Sequence, residues 1–188
     1  MALQSPIPFS AVEKIFEGAG AGGATRWLAT PKGKPHLPAA LVFAATQFVD
    51  DQLMFFVLAK AYETRPSRDA MLWIYQRFVK PPKVNGKATV SEDLNDVSRT
   101  VNIDARDADR TFELVTGAWA KTMPGGAHPQ AFRGALISMS NMLTDIDRRF
   151  SNAVKGVGRQ ATYSAYPMRM RLLEEELQKA RQFNLQVN

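Results

Sequence analysis

Apolar residues recur along most of this chain at the three- and four-residue spacing of helix faces, and no convincing two-residue alternation interrupts them. Ser10-Ala11-Val12-Glu13 has the form of a capping box and opens a first helix to about Gly18. The rest of residues 1–35 reads as irregular, with Gly18-Ala19-Gly20-Ala21-Gly22-Gly23 as a flexible linker. Pro31, Pro35 and Pro38 punctuate the start of the main body. Leu37, Leu41, Ala44, Ala45 and Phe48 then share one stripe. Asp50-Asp51 opens a second helix to about Tyr62, with its acids where the helix dipole favours them. Leu53 to Ala59 is apolar all round, which predicts a central buried helix. Arg65-Pro66-Ser67 breaks it, and Ser67 caps a third helix with Ala70, Trp73, Ile74 and Phe78 on one face. Leu53, Phe56, Val57, Trp73, Ile74 and Phe78 should be buried together.

Pro81-Pro82 ends the third helix. A long polar connection follows over 81–100, with Asn85-Gly86 as a turn and room for a short helix from Ser91. Asp104 starts a helix carrying Ala108, Thr111, Phe112, Val115 and Trp119, and Pro124-Gly125-Gly126 stops it. A helix from about Pro129 carries Phe132, Leu136, Met139 and Leu143; another carries Ile146, Phe150 and Val154 before Gly156 and Gly158. Pro167 opens a last helix with Met170, Leu173, Leu177 and Ala180 on one stripe and Glu175 and Lys179 as a supporting pair. The pattern predicts an all-α bundle of about nine short helices. It divides into an N-terminal helix and Gly/Pro-rich linker (1–35), a helical body (36–160) and a C-terminal helix packed on that body (161–188).

Composition narrows the function more by exclusion than by assignment. A chain of 188 residues that is 45% hydrophobic can bury a sizeable core. There is no cysteine, so disulfides and thiolate metal sites are excluded, and a cytoplasmic location is the expectation. No apolar run reaches the roughly 18 residues that span a bilayer. The two histidines, His36 and His128, lie far apart beside prolines, and neither HxxxH, GxSxG nor a phosphate-cradling GxxxxGK[ST] occurs. No metal, no cofactor and no enzymatic site of its own is therefore expected. Gly18 to Gly23 satisfies GxGxxG, but a helix precedes it where a dinucleotide site requires a strand. Asp145 and Asp147 could hold a cation, though acids near a helix start need no such role. The net charge of +6 permits an acidic partner, including the anionic inner face of the plasma membrane. Arg148, Arg149, Lys155, Arg159, Arg169 and Arg171 would serve a nucleic-acid surface, yet no basic recognition helix stands out.

Several segments in order resemble the regulator of G-protein signalling (RGS) family. Asp51-Gln52-Leu53-Met54-Phe55-Phe56 through Tyr62 is similar to that family's central helix, which typically reads Glu-Asn, an apolar pair and Phe-Trp before a Tyr. Ile74-Tyr75 with Phe78-Val79 looks like the next family helix, and Val101-Asn102-Ile103-Asp104 looks like the Val-Asn-Ile-Asp segment that follows. Phe132 and Ala135 resemble the Phe and Ala of its Phe-Asp-Glu-Ala-Gln helix. Asp145-Ile146-Asp147-Arg148-Arg149-Phe150 is similar to its Asp-Ser-Tyr-x-Arg-Phe segment. The resemblance spans Leu37 to Ala153, and Leu37 to Phe48 is also similar to the RhoGEF-type branch. Gln52 stands where the family usually has Asn, and the connections before Val101 and Phe132 are longer than usual. A second register pairs Val84-Asn85 with the family's Val-Asn and makes Asn85 the contact.

The resemblance implies a monomeric, cytoplasmic module that binds the GTP-bound α subunit of a heterotrimeric G protein (Gα) and accelerates its hydrolysis. It implies Asn102 as the central contact with the switch segments, Asp145 as acceptor for switch amides, Arg149 as the group that orients Asp145, and Asp51 and Gln52 as the border. Read without the resemblance, Asn102 turns the chain into the helix at Asp104, Asp145 and Arg149 are a surface ion pair, and Asp51 and Gln52 are ordinary helix-start residues. A scaffold that binds its partner without accelerating hydrolysis is the alternative, and a basic nucleic-acid binder the third.

Overall fold

The computed structural model describes residues 3–79, 83–84, 87–88, 100–117, 122–156, 160–185 and 187. Within them the chain forms an all-α bundle with nine α-helices. These are α1 (Phe9–Ala19), α2 (Ala24–Leu28), α3 (Leu37–Thr46), α4 (Asp50–Thr64), α5 (Arg68–Ile74), α6 (Ala105–Thr116), α7 (Arg133–Ser138), α8 (Ser140–Lys155) and α9 (Pro167–Gln182).

The uninterrupted apolar run makes α4 the centre. Leu53 to Ala59 are all buried, so the helix has no solvent face there. α3 packs along it, with Leu41 to Ala45 inaccessible or nearly so. α5 and α8 close on it from other sides. Phe132 joins the body to α7: its ring stands edge-on to Phe55 at 5.9 Å and to Tyr62 at 5.3 Å, the geometry that sets ring edges against ring faces. The Tyr62 hydroxyl donates to the His128 carbonyl at 2.7 Å, and burial pushes its phenol pKa well above the ordinary value. Ser67 caps α5 as its position predicts, accepting from the Ala70 amide at 3.3 Å. The last turn of that segment widens into a π-helix over Tyr75–Val79, which the apolar spacing does not signal.

Other expectations need correction. α1 starts at Phe9 with Pro8 at its cap, and Ser10 makes no capping bond; the Phe9 amide is held instead by the Ala161 carbonyl. The stretch expected to be a flexible linker is a built turn. Gly18 lies under the Trp27 ring and Gly23, at φ 85°, under the Asp147 carboxylate, so a Cβ at either would collide. α1 and α2 pack on α8, with Val12, Ile15, Ala24 and Leu28 buried. Two short antiparallel ladders occur where no strand was foreseen: β1 (Ile7–Pro8) with β4 (Thr162–Tyr163), and β2 (Lys83–Val84) with β3 (Lys87–Ala88). The helix expected to continue from Pro129 through Leu143 breaks at Met139, and Leu143 belongs to α8 with Ile146. Phe48 falls beyond the end of α3, and Phe112 turns half outward on α6. Trp73 is only partly buried, lying between Phe78 and the Phe183 ring at the end of α9. Glu175 pairs with Arg171 rather than with Lys179, whose ammonium sits over Phe183. Trp119, Asn85-Gly86, the short helix from Ser91, Gly158 and Arg159 lie outside the described residues.

Candidate functional site

α8 is strongly amphipathic. Ile146, Phe150 and Val154 face the core, and Phe150 packs on Phe43 of α3 at 4.5 Å between ring centroids. That packing turns Asp145, Arg148 and Arg149 outward on the side where α3 ends. Arg149 bridges two elements there. Its Nε donates to Asp145 at 2.7 Å and its Nη1 donates to the Gln47 carbonyl at 3.2 Å, 102 residues away in sequence. Arg148 grips the other carboxylate oxygen at 2.5 Å. These two guanidinium hydrogen bonds, Arg149 first, hold the Asp145 carboxyl below its ordinary pKa, so it stays an acceptor through the physiological range. A groove of about 420 Å³ runs beside them, lined also by Phe43, Gln47, Asn152 and Tyr163.

The corner that Arg149 holds leads within three residues into the first turn of α4. Asp50 there is completely buried and ion-paired with Arg169 of α9; Asp51 lies 3.7 Å from the same guanidinium. Gln52 is half-buried, with its carbonyl oxygen shielded and unbonded among the described residues. Arg169 also lies over the Phe48 ring, 4.8 Å from its centre, and Phe48 stands 5.8 Å from the Tyr166 ring. Phe48, Tyr166 and Met168 are 56%, 63% and 47% exposed. The structure therefore gathers Asp145 and Arg149 with the α3–α4 corner that carries Asp51 and Gln52, and adds an exposed apolar patch.

Asn102 lies on the strap that leads into α6. The Val101 amide donates to the Phe78 carbonyl at 2.8 Å, and the Asp104 amide donates to Ser138 Oγ at 2.9 Å. The strap between them presents Asn102 to solvent. No hydrogen bond among the described residues joins it to Asp145 or Arg149. Asp104 stands at the cap of α6, with no capping bond from its own side chain. Asn85, the contact of the second register, lies outside the described residues.

The other candidate chemistries find structural uses. Asp147 accepts from the Thr25 amide and hydroxyl at 2.8 and 3.2 Å, and no cluster of potential metal ligands occurs among the described residues. Of the basic set, Arg148, Arg149, Arg169 and Arg171 are all engaged by carboxylates, and Lys155 lies over the Phe16 ring. No described helix is long and apolar enough to cross a membrane. Pattern reading gave Phe48 only as one more member of an apolar stripe and Arg169 only as one of a basic set, and it missed Tyr166, which carries no motif. Arg148 was discernible by its i,i+3 distance from Asp145. Set against family models, curated proteins and solved structures, the chain matches none of them.

Proposed function

We propose that this protein binds the GTP-loaded α subunit of a heterotrimeric G protein and accelerates its hydrolysis. The observation that carries the reading is the double grip of Arg149 on Asp145 and on the Gln47 carbonyl. It sets an oriented carboxylate and the first turn of α4 on one surface, although the two are distant in sequence. Gα supplies its own arginine and its water-orienting glutamine. A partner that accelerates it need only hold the switch segments in their transition-state arrangement, stabilising that state more than the ground state. Asp145, kept ionised by Arg149, accepts switch amides; Asn102, exposed on its strap, has both donors and an acceptor to offer. The protein then contributes no catalytic group, metal or cofactor of its own, and acts in the cytoplasm or at the inner face of the plasma membrane.

Single-turnover GTP hydrolysis by a panel of Gα subunits, with and without the protein, tests this directly. Acceleration by at least one, with tighter binding to the GDP–aluminium fluoride form than to the GDP form, is expected. A scaffold without acceleration is the second reading, and one observation favours it: the Gln52 carbonyl oxygen is turned away from solvent at a position where the resembled family has Asn. Equal binding to both nucleotide forms would select that reading. Failure to bind any Gα, with salt-sensitive binding to RNA or DNA, would select a basic nucleic-acid surface instead.

A further inference from the structure

α9 lies outside the span Leu37 to Ala153, yet it touches two separate parts of the surface described above. In its first turn Arg169 pairs with Asp50, and Asp51 stands 3.7 Å from the same guanidinium. Two turns further on, Glu176 accepts from Arg77 Nε at 3.0 Å. That length of helix sets the two acidic contacts about 10 Å apart, on one stripe with Leu173 and Leu177. Arg77 belongs to the π-helical segment Tyr75–Val79, whose next residue, Phe78, holds the Val101 amide by its carbonyl at 2.8 Å. Asn102 follows directly. One helix thus grips the first turn of α4 at one end and the root of the Asn102 strap further along.

Both carboxylates are buried: Asp50 wholly, and Glu176 at 3% exposure. Exchanging a buried ion pair for apolar side chains of similar volume is often neutral or stabilising, so stability alone does not account for these two. Register accounts for them. Leu173, Leu177 and Ala180 form an apolar stripe that repeats nearly every turn, and such a stripe tolerates a slip by one turn. The same slip would strand both carboxylates without their cations, at a cost of several kcal/mol by the usual penalty for a lone buried charge (about 3–5 kcal/mol). We infer that Arg169 and Glu176 are positioning residues. By fixing the register of α9 they set the first turn of α4, with Asp51 and Gln52, against the strap that carries Asn102. This role rests on the function proposed above, while the register itself rests on the two pairs.

Two double variants, Arg77→Met with Glu176→Leu and Asp50→Asn with Arg169→Met, remove each pair without leaving a lone buried charge. Both should melt above Arg77→Ala and Arg169→Ala, which do leave one. Native-state hydrogen exchange is read at three amides: Val101, which donates to Phe78 O; Leu53, which donates to Val49 O; and Leu143 of α8, which donates to Met139 O and serves as control. The first variant should speed exchange at Val101, and the second at Leu53, by at least about tenfold, with Leu143 unmoved, because local opening stays within its own unit. With a Gα that the wild type stimulates, both variants should lower the single-turnover rate at saturation. Unchanged protection at Val101 or at Leu53 would overturn the register role. So would an equal rise at all three amides, which would make the pairs general supports of the fold. Loosened amides with an unchanged saturating rate would overturn the positioning role and leave the proposed function standing. A wild-type protein that stimulates no Gα would overturn both.

Discussion

Asp147 of α8 caps the N-terminus of α2 from 122 residues away: one carboxylate oxygen takes the Thr25 amide at 2.8 Å and the other takes the Thr25 hydroxyl. No residue at the start of α2 does this job, because the residue there is Gly23, held at φ 85° directly beneath the carboxylate. Tertiary structure supplies what the local sequence lacks, and it does so with a residue that the spacing Asp145-x-Asp147 offers as a cation ligand. Asp147→Ala should destabilise the protein by about 1–2 kcal/mol, the usual loss for a helix cap. Urea denaturation gives the number. A chelator should change nothing, and a chelator-sensitive melting temperature would reopen the metal reading.

Arg149→Ala should damage function more than stability. It releases Asp145 from its main partner and frees the Gln47 carbonyl, both on a partly exposed surface. Exposed pairs of this kind contribute at most about 1 kcal/mol to folding. Transition-state stabilisation should fall by about 1–3 kcal/mol, read from single-turnover rates. Asn102→Ala should act in the same direction with no measurable change in melting, since its side chain is exposed. A loss of folding in either variant would mean that these groups hold the structure rather than meet a partner.

The ion pair beneath the corner behaves oppositely. Asp50 is wholly buried, and Arg169 is the cation against it. Arg169→Ala should cost about 3 kcal/mol or more in equilibrium unfolding, because a buried carboxylate then loses its counter-charge. Replacing both Arg169 and Asp50 by neutral residues should recover part of that loss. A destabilisation no larger than that of Arg171→Ala, whose pair with Glu175 is exposed, would show that Asp50 draws its support from elsewhere.

The acid limb of stability should carry a component from Asp145. Its folded pKa is depressed by Arg149 and Arg148, so its contribution is present above the unfolded carboxylate pKa. The contribution is lost as pH falls through the lower folded value. The gap in melting temperature between wild type and Asp145→Asn should therefore be widest near neutrality and close at strongly acidic pH. Partner affinity should follow the same limb. A gap that widens on acidification would contradict the sign.

In the core, Phe55→Ala should cost about 3–5 kcal/mol, the range for removing a buried aromatic ring. Trp73→Ala should cost less despite its size, because one side of the indole is open. Chemical denaturation of the two variants checks the order.

The contrast between Phe55 and Trp73 also shows what the residue pattern carried. An apolar run with no polar interruption, Leu53 to Ala59, leaves no choice but a central helix, and Ser67 after a proline marks the next start unambiguously. Helix faces were legible where both their neighbours are helices. They were misread at the ends, where one residue decides between continuing a stripe and leaving it. Phe48 has stripe spacing from Ala44 and Ala45 but follows the last turn of α3, and spacing does not encode a left-handed φ. Met139 likewise satisfies the stripe of two helices and turns out to separate them. Of the candidate surface, Asp145 with Arg149 could be read from their offset. The Gln47 carbonyl could not, since a backbone group has no signature, nor could Arg169, whose partner depends on where α9 lands.

The ladder of β1 with β4 has a further consequence. Ser5 Oγ accepts the Ala165 amide across 160 residues, and the Phe9 amide donates to the Ala161 carbonyl. During synthesis, the apolar faces of α1 and α2 emerge long before α8 and β4 exist to cover them. Residues that meet so late lengthen the search and leave the nascent chain adhesive in the meantime. The packing of α1 and α2 on α8, which helps to bury Val12, Ile15 and Leu28, is thus among the last that the growing chain can complete.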